Sequence, residues 1–222
     1  METNVVDLLK NVGGIITDSH IVYTSGKHGS VYLNKDAIYP HATETAKVGK
    51  MFAEKFKDLD IDVVVAPAIG GTLLSQWTAF YLSEMKGKEV LGVYTEKDKG
   101  TMAGASESDQ IFRRGYDKFV QGKKVLVLED LVTTGMSVKK TVETVKKTGG
   151  EVLAVGVMFN RVPDKINSVF IGAPFYALAD FPAQAFDEAE CPMCQKGVPI
   201  NTAIGHGKQY LENLKSQKSA QV

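Results

Sequence analysis

The stretch Val125-Leu-Val-Leu-Glu-Asp-Leu-Val-Thr-Thr-Gly-Met-Ser137 decides the fold. Four apolar residues run straight into two adjacent carboxylates, Glu129 and Asp130, and then into a short Thr/Gly/Ser turn. Beyond it Val138, Val142 and Val145 recur at helical spacing until Gly149-Gly150 stops the repeat. The order reads as a buried parallel strand, an acidic pair at its carboxyl end, and a loop that opens a helix. Backbone N–H groups at a helix N-terminus, joined by the hydroxyls of Thr133, Thr134 and Ser137, make a site for a phosphate. Two carboxylates would repel that phosphate unless they serve another part of the same ligand. Ribose hydroxyls or a bridging Mg2+ suit them. A ligand with a phosphate at one end, sugar hydroxyls in the middle and a metal-bound group beyond is a sugar phosphate such as phosphoribosyl pyrophosphate. An isolated Glu-Asp pair would read as a solvated strand end; the series is what carries the ligand. Neither G-x-x-x-x-G-K-[ST] nor a G-x-G-x-x-G after a strand occurs.

Outward from this stretch, strands and helices alternate. Asp62-Val-Val-Val-Ala66, Val90 to Tyr94, Val125 to Leu128 and Val152 to Phe159 are apolar runs of strand length. Thr43 to Phe56 reads as a helix with Thr43 as N-cap and Val48, Phe52 and Phe56 on one face. Leu73, Leu74, Trp77, Phe80 and Tyr81 mark the expected buried face of another. The pattern predicts an α/β fold, a doubly wound parallel sheet covered on both faces, with its ligand at the carboxyl ends of the strands. Before it, Val5 to Leu9 reads as a short helix, and Ile21 to Tyr23 and Ser30 to Asn34 as a hairpin around Thr24–Gly29. His28 reads as an exposed turn histidine. No repeat or composition break divides the chain, which is expected to be a single domain. Its core spans about residues 43–162, and its hood takes residues 1–42 and 163–210.

Composition sets outer limits. The 222 residues suffice for one domain with a substantial core. Lys+Arg and Asp+Glu are both 26, so no global basic field argues for nucleic acid or an anionic membrane. No apolar run approaches the roughly 20 residues of a membrane span, and a cytoplasmic protein is expected. Cys191-Pro-Met-Cys194 is half of a structural zinc set, with no second C-x-x-C to complete it. His206 is the candidate third ligand and a dimer mate the source of a fourth, but the pair reads as thiols of a C-terminal turn, and no residue is assigned as a metal ligand.

Two further loops carry chemistry. Pro67-Ala-Ile-Gly-Gly71 places Gly70 and Gly71 between strand and helix, where backbone can approach an anion closely. Residues 95–115 form a stretch of about twenty residues without apolar periodicity, a length that in a compact domain marks a functional or disordered loop. It reads as a lid carrying Lys97, Lys99, Arg113 and Arg114, closing over a reaction that water would intercept.

The signature around Glu129-Asp130 resembles that of the type I phosphoribosyltransferases. With Thr24–Asn34, Pro67-Ala-Ile-Gly-Gly71, Tyr94-Thr-Glu, Phe112-Arg-Arg-Gly-Tyr116 and Cys191–Pro199, the chain resembles the orotate phosphoribosyltransferases over about residues 10–200. It departs from them in the bulky Met136 of the phosphate loop and in a longer lid, residues 100–109, which leaves the alignment of the lid lysines open. The resemblance implies transfer of ribose 5-phosphate from phosphoribosyl pyrophosphate to orotate. It implies Glu129 and Asp130 on the ribose hydroxyls and Thr133, Thr134, Gly135, Met136 and Ser137 around the 5′-phosphate. Gly70 and Gly71 then lie under the Mg2+-bridged pyrophosphate, and Lys97 or Lys99 acts on the leaving group. Arg161 pairs with the base carboxylate, Tyr32 and Leu33 cover the base, and a homodimer is expected. The alternatives are a purine phosphoribosyltransferase, with no use for a carboxylate-binding arginine, and a non-catalytic regulator that binds nucleic acid, which the balanced charge disfavours.

Overall fold

The computed structural model describes residues 4–98, 109–182 and 184–219. In chain order it runs α1 (Val5–Asn11), β1 (Ile15–Ile16), β2 (Ile21–Val22), β3 (His28–Gly29), β4 (Tyr32–Leu33), α2 (Ala42–Phe56), β5 (Val63–Pro67) and α3 (Gly70–Lys86). Then follow β6 (Leu91–Lys97), β7 (Gln110–Ile111), β8 (Lys124–Val132), α4 (Met136–Lys147), β9 (Glu151–Asn160), α5 (Ser168–Ile171), β10 (Phe175–Asp180), α6 (Pro192–Gln195) and α7 (Gly207–Ser219). The chain groups into two units, one of Met1–Leu8 with Ile38–Pro182, the other of Leu9–Ala37 with Ala183–Val222.

The first unit is built on a six-stranded sheet of order β10-β9-β8-β5-β6-β7, parallel throughout except for β7. The apolar runs become strands because both faces are covered. Val125 and Val127 of β8 join Val138, Val142 and Val145 of α4 in one buried cluster. On the other face, a Cβ at Gly156 would press on Leu128, Phe56 and Phe52, so α2 lies close over β8 and β9. Each such fully buried Val, Leu or Phe contributes about 1.5–3 kcal/mol, which is why a continuous apolar run, rather than an alternating one, is the signature of these strands.

Several elements differ from the sequence expectation. Strand β8 continues through Glu129 and Asp130 to Val132, so the acidic pair belongs to the strand's second half rather than following it. Helix α2 starts one residue early, with His41 at the cap position and no side-chain cap. On α3 the buried residues are Gly71, Leu74, Ser75, Thr78, Ala79 and Leu82, whereas Leu73 and Phe80 are 40% and 52% exposed. Helix α3 packs so tightly that its small residues turn inward: a Cβ at Gly49 of α2 would collide with Trp77 and its backbone. Strand β10, which no sequence reading anticipated, has only partly buried or exposed residues and no Val or Ile. Strand β6 runs on to Lys97, and β7 pairs back on it, so both ends of the 95–115 stretch are ordered. Residues 99–108, Lys99 among them, lie outside the described residues.

The second unit is held by short pairings. β2 pairs antiparallel with β3, and β4 pairs with β1, so Tyr32–Leu33 is not the return strand of the expected hairpin. The true turn is tighter: Tyr23 N–H donates to Lys27 O at 2.8 Å, with Gly26 at a φ of 79° that side chains disfavour. Isolated bridges join His20 to Ile200 and His28 to Phe186. His28 is fully buried, contrary to the exposed position expected of it. Among the described residues no helix is long and apolar enough to cross a membrane.

Candidate active site

Parallel pairing puts the carboxyl ends of β5, β6, β8 and β9 on one rim of the first unit's sheet. The residues that follow or end those strands are therefore neighbours however far apart in sequence. Gly70 and Gly71 come after β5, Lys97 ends β6, Glu129, Asp130 and the Thr133–Ser137 loop end and follow β8, and Arg161 follows β9.

The acidic pair is buried, Glu129 being 7% and Asp130 5% exposed. Asp130 Oδ2 accepts from the hydroxyl of Tyr39 at 2.9 Å, and the Asp130 N–H donates to Glu129 Oε1 at 3.1 Å. A Cβ at Gly70 would overlap the Asp130 carboxylate and stand 2.8 Å from the Tyr39 hydroxyl. Only glycine lets the β5–α3 turn approach the acid this closely. A Cβ at Gly71 would fall 2.7 Å from that of Ala66, so the second glycine serves the tight turn itself. The Ala68–Ile69 peptide between them and the strand is cis.

After β8, Gly135 has a φ of 70° and caps α4, and among the described residues no side chain caps it. A Cβ at Gly135 would lie 2.8 Å from Phe170. The first amides of α4 therefore keep donors for an anion, apart from a long 3.4 Å contact of Met136 N–H with Thr134 Oγ1. Thr133 and Thr134 are exposed and Ser137 is half-buried. The bulky Met136 is 47% exposed, so it turns outward at the helix start.

Arg161 is half-buried next to this loop, its N–H donating to Val132 O at 2.9 Å. Its Nε is buried without a hydrogen-bond partner, and its guanidinium carbon lies 6.0 Å from the Phe181 ring centre. The turn that places it is fixed by buried Asn160, which donates to Ile166 O at 3.1 Å and accepts from Val162 N–H at 3.0 Å. Neither Asn160 nor Tyr39 is singled out by sequence, because their partners are known only once the strands are in order.

Lys97 is exposed at the rim. The two arginines of the stretch are engaged: Arg113 lies 3.5 Å from the fully buried Asp98, and Arg114 3.3 Å from Glu96. Gln110 anchors β7, accepting from Thr95 Oγ1 at 2.8 Å through its side chain and from Thr144 Oγ1 at 2.6 Å through its carbonyl. In the second unit Tyr32 is half-buried on β4 and Leu33 is 5% exposed opposite Ile15. His206, the expected third partner of the thiols, instead bonds Thr24 Oγ1 at 3.0 Å. Burial pushes the Cys194 thiol up to about 11, which makes it a poor nucleophile at neutral pH.

The family profile described as phosphoribosyl transferase domain matches residues 34–169. An orotate phosphoribosyltransferase of Caldanaerobacter subterraneus subsp. tengcongensis is 35% identical over 84% of this chain and 88% of its own. One from Thermotoga maritima is 33% identical over 90% and 97%. Among solved structures, a Mycobacterium tuberculosis orotate phosphoribosyltransferase in complex with 5-phospho-α-D-ribosyl 1-diphosphate shares the fold. Its TM-score is 0.57 at 20% identity, covering 80% of this chain and 96% of that one.

Proposed function

The chain belongs to the phosphoribosyltransferase family, on the branch of the orotate phosphoribosyltransferases, and from that premise we propose that it converts orotate and phosphoribosyl pyrophosphate into orotidine 5′-monophosphate and pyrophosphate. The observation that carries the site is the gathering on one sheet rim of a buried acidic pair, a glycine turn against it, an uncapped helix start and an arginine with an unpartnered Nε.

In the reaction the bond from the anomeric carbon to the pyrophosphate oxygen breaks and a bond to a ring nitrogen of orotate forms. Glu129 and Asp130 accept hydrogen bonds from the ribose hydroxyls and bias charge near the anomeric carbon. Tyr39 orients Asp130 by donating its hydroxyl hydrogen to Oδ2. The α4 amides with Thr133, Thr134 and Ser137 hold the 5′-phosphate. Gly70 and Gly71 let backbone lie against the pyrophosphate, and Lys97 or Lys99 meets the charge that develops on it as it leaves. The rim's hard oxygen donors fit Mg2+, which Asp130 and Glu129 would hold together with oxygens of the substrate itself. Such an ion supplies neutralising charge to the pyrophosphate. Arg161 faces the orotate carboxylate, because a planar guanidinium offers two parallel donors. Tyr32 and Leu33 remain the base-covering residues of this reading.

The same reading includes a cytosolic homodimer. Free thiols at Cys191 and Cys194 suit a reducing compartment. The stripe of Ile69, Leu73 and Phe80, 87%, 40% and 52% exposed, suits burial against a second copy.

Asp130→Asn tests the site. The change is nearly isosteric, so the melting temperature should hold while kcat/KM falls ~10–100-fold, about 1.4 kcal/mol per tenfold. Unchanged kcat/KM in the folded variant removes Asp130 from the site.

A further inference from the structure

Two histidines from the start of the chain and two cysteines from near its end converge inside the second unit. His20 and His28 are 2% and 0% exposed and Cys191 is fully buried, with Cys194 half-buried beside them. One donor atom from each lies within 4.8 Å of every other. His20 Nε2 is 2.9 Å from His28 Nδ1, 3.7 Å from Cys191 Sγ and 3.6 Å from Cys194 Sγ, and Cys194 Sγ is 3.2 Å from His28 Nδ1.

These spacings are those of a coordination shell. Zn–N bonds of ~2.0–2.1 Å and Zn–S bonds of ~2.3 Å at tetrahedral angles separate two nitrogens by about 3.4 Å and nitrogen from sulfur by about 3.6 Å. The nitrogen–sulfur distances scatter around that value, and the nitrogens stand slightly closer. The tautomer agrees. His20 Nδ1 lies 2.7 Å from Val198 O, and a carbonyl can only accept, so Nδ1 carries the proton and Nε2 turns its lone pair into the cluster. No carboxylate belongs to the set.

We propose that His20, His28, Cys191 and Cys194 bind one Zn2+ as a closed structural site. Two thiol protons leave as the metal enters, so the ion and its two thiolates sum to no net charge in a buried place. A tetrahedral set of two nitrogens and two sulfurs selects zinc over the oxygen-seeking Mg2+. With all four positions filled by protein, no position is open for substrate, which makes the ion a staple rather than a catalyst.

The second unit has need of one. Among the described residues its four strands are two residues each, and its N-terminal and C-terminal segments are joined by isolated bridges at His20 and His28, two of the four proposed ligands. Small units of this kind depend on cross-links that a modest apolar core does not replace. The sequence hid the site because His20-x7-His28 is not a metal-ligand spacing in itself. Only the pairing of β2 with β3 brings the rings together.

The test is metal analysis of the full-length protein purified without chelator. The proposal predicts about one zinc per chain, retained by His206→Ala and lost by His28→Ala and Cys194→Ser. A zinc chelator should lower the melting temperature of the wild type, and Zn2+ but not Mg2+ should restore it. So that the test does not depend on the folding of a ligand variant, Co2+ is also loaded into chelated wild-type protein, where tetrahedral d–d bands with a thiolate charge-transfer band are expected. Folded wild-type protein that holds no zinc and gives no tetrahedral cobalt spectrum overturns the proposal. So does zinc that survives His28→Ala but not His206→Ala, or a mass showing Cys191 and Cys194 joined as a disulfide. The readouts are independent of phosphoribosyl transfer, so failure of either reading leaves the other standing.

Discussion

A methyl group added at Gly70 would overlap the Asp130 carboxylate, and that one collision explains why a glycine after β5 answers an aspartate in β8. Arg161 stands in a similar relation to its surroundings, with backbone tied to Val132 and a buried Nε that has no partner. Leaving a buried donor unpaired costs about 1–3 kcal/mol, a cost that a bound carboxylate edge can offset. Arg161→Ala should therefore raise KM for orotate ~10–100-fold, at roughly 1.4 kcal/mol per tenfold, while KM for phosphoribosyl pyrophosphate changes little. Arg161→Lys should recover only part, since a point charge cannot make both parallel bonds. Equal effects on both substrates would show Arg161 to be structural. The residues proposed to meet a ligand were legible in the sequence, because Glu129-Asp130 and Thr133–Ser137 are contiguous. Tyr39, Asn160 and His28 were not, since each acts through a partner that only the fold supplies.

Strands were legible as elements wherever both faces are covered, as in β5, whose five residues are all buried. Strand β10, with no fully buried residue, was not read from the sequence. Helix α3 departs from its pattern for another reason: close packing against the sheet and α2 selects the small Gly71, Ser75 and Ala79, with Leu74, for the inside, and leaves the larger Leu73 and Phe80 exposed. Strand β6 carries the element-scale prediction. It ends at Lys97 on the rim of the candidate site, and Arg113 and Arg114 are already paired to Asp98 and Glu96. If this lysine stabilises the leaving group, Lys97→Ala lowers kcat far more than it weakens ground-state binding of phosphoribosyl pyrophosphate. Lys99→Ala in parallel divides the role between them. Wild-type turnover in the double variant would show that the segment supplies no such charge.

For the whole molecule, the alternation of strands with helices was enough to reach an α/β fold, the balanced charge argued against nucleic acid, and the sugar-phosphate ligand was read from residues 125–137 alone. A hood drawn from both ends of the chain was expected at residues 1–42 and 163–210, and the second unit comprises Leu9–Ala37 with Ala183–Val222; what was not legible is that His20, His28, Cys191 and Cys194 meet inside it. Assembly has its own test: Leu73→Asp with Phe80→Asp should shift the sedimenting species from dimer to monomer, and an unshifted mass would place the interface elsewhere. The most direct measurement of the central claim is steady-state turnover with phosphoribosyl pyrophosphate and Mg2+ against a panel of bases. The account predicts rapid formation of orotidine 5′-monophosphate from orotate and negligible product from adenine, hypoxanthine or xanthine. Preference for any of those purines, or binding of phosphoribosyl pyrophosphate without turnover of orotate, would contradict it.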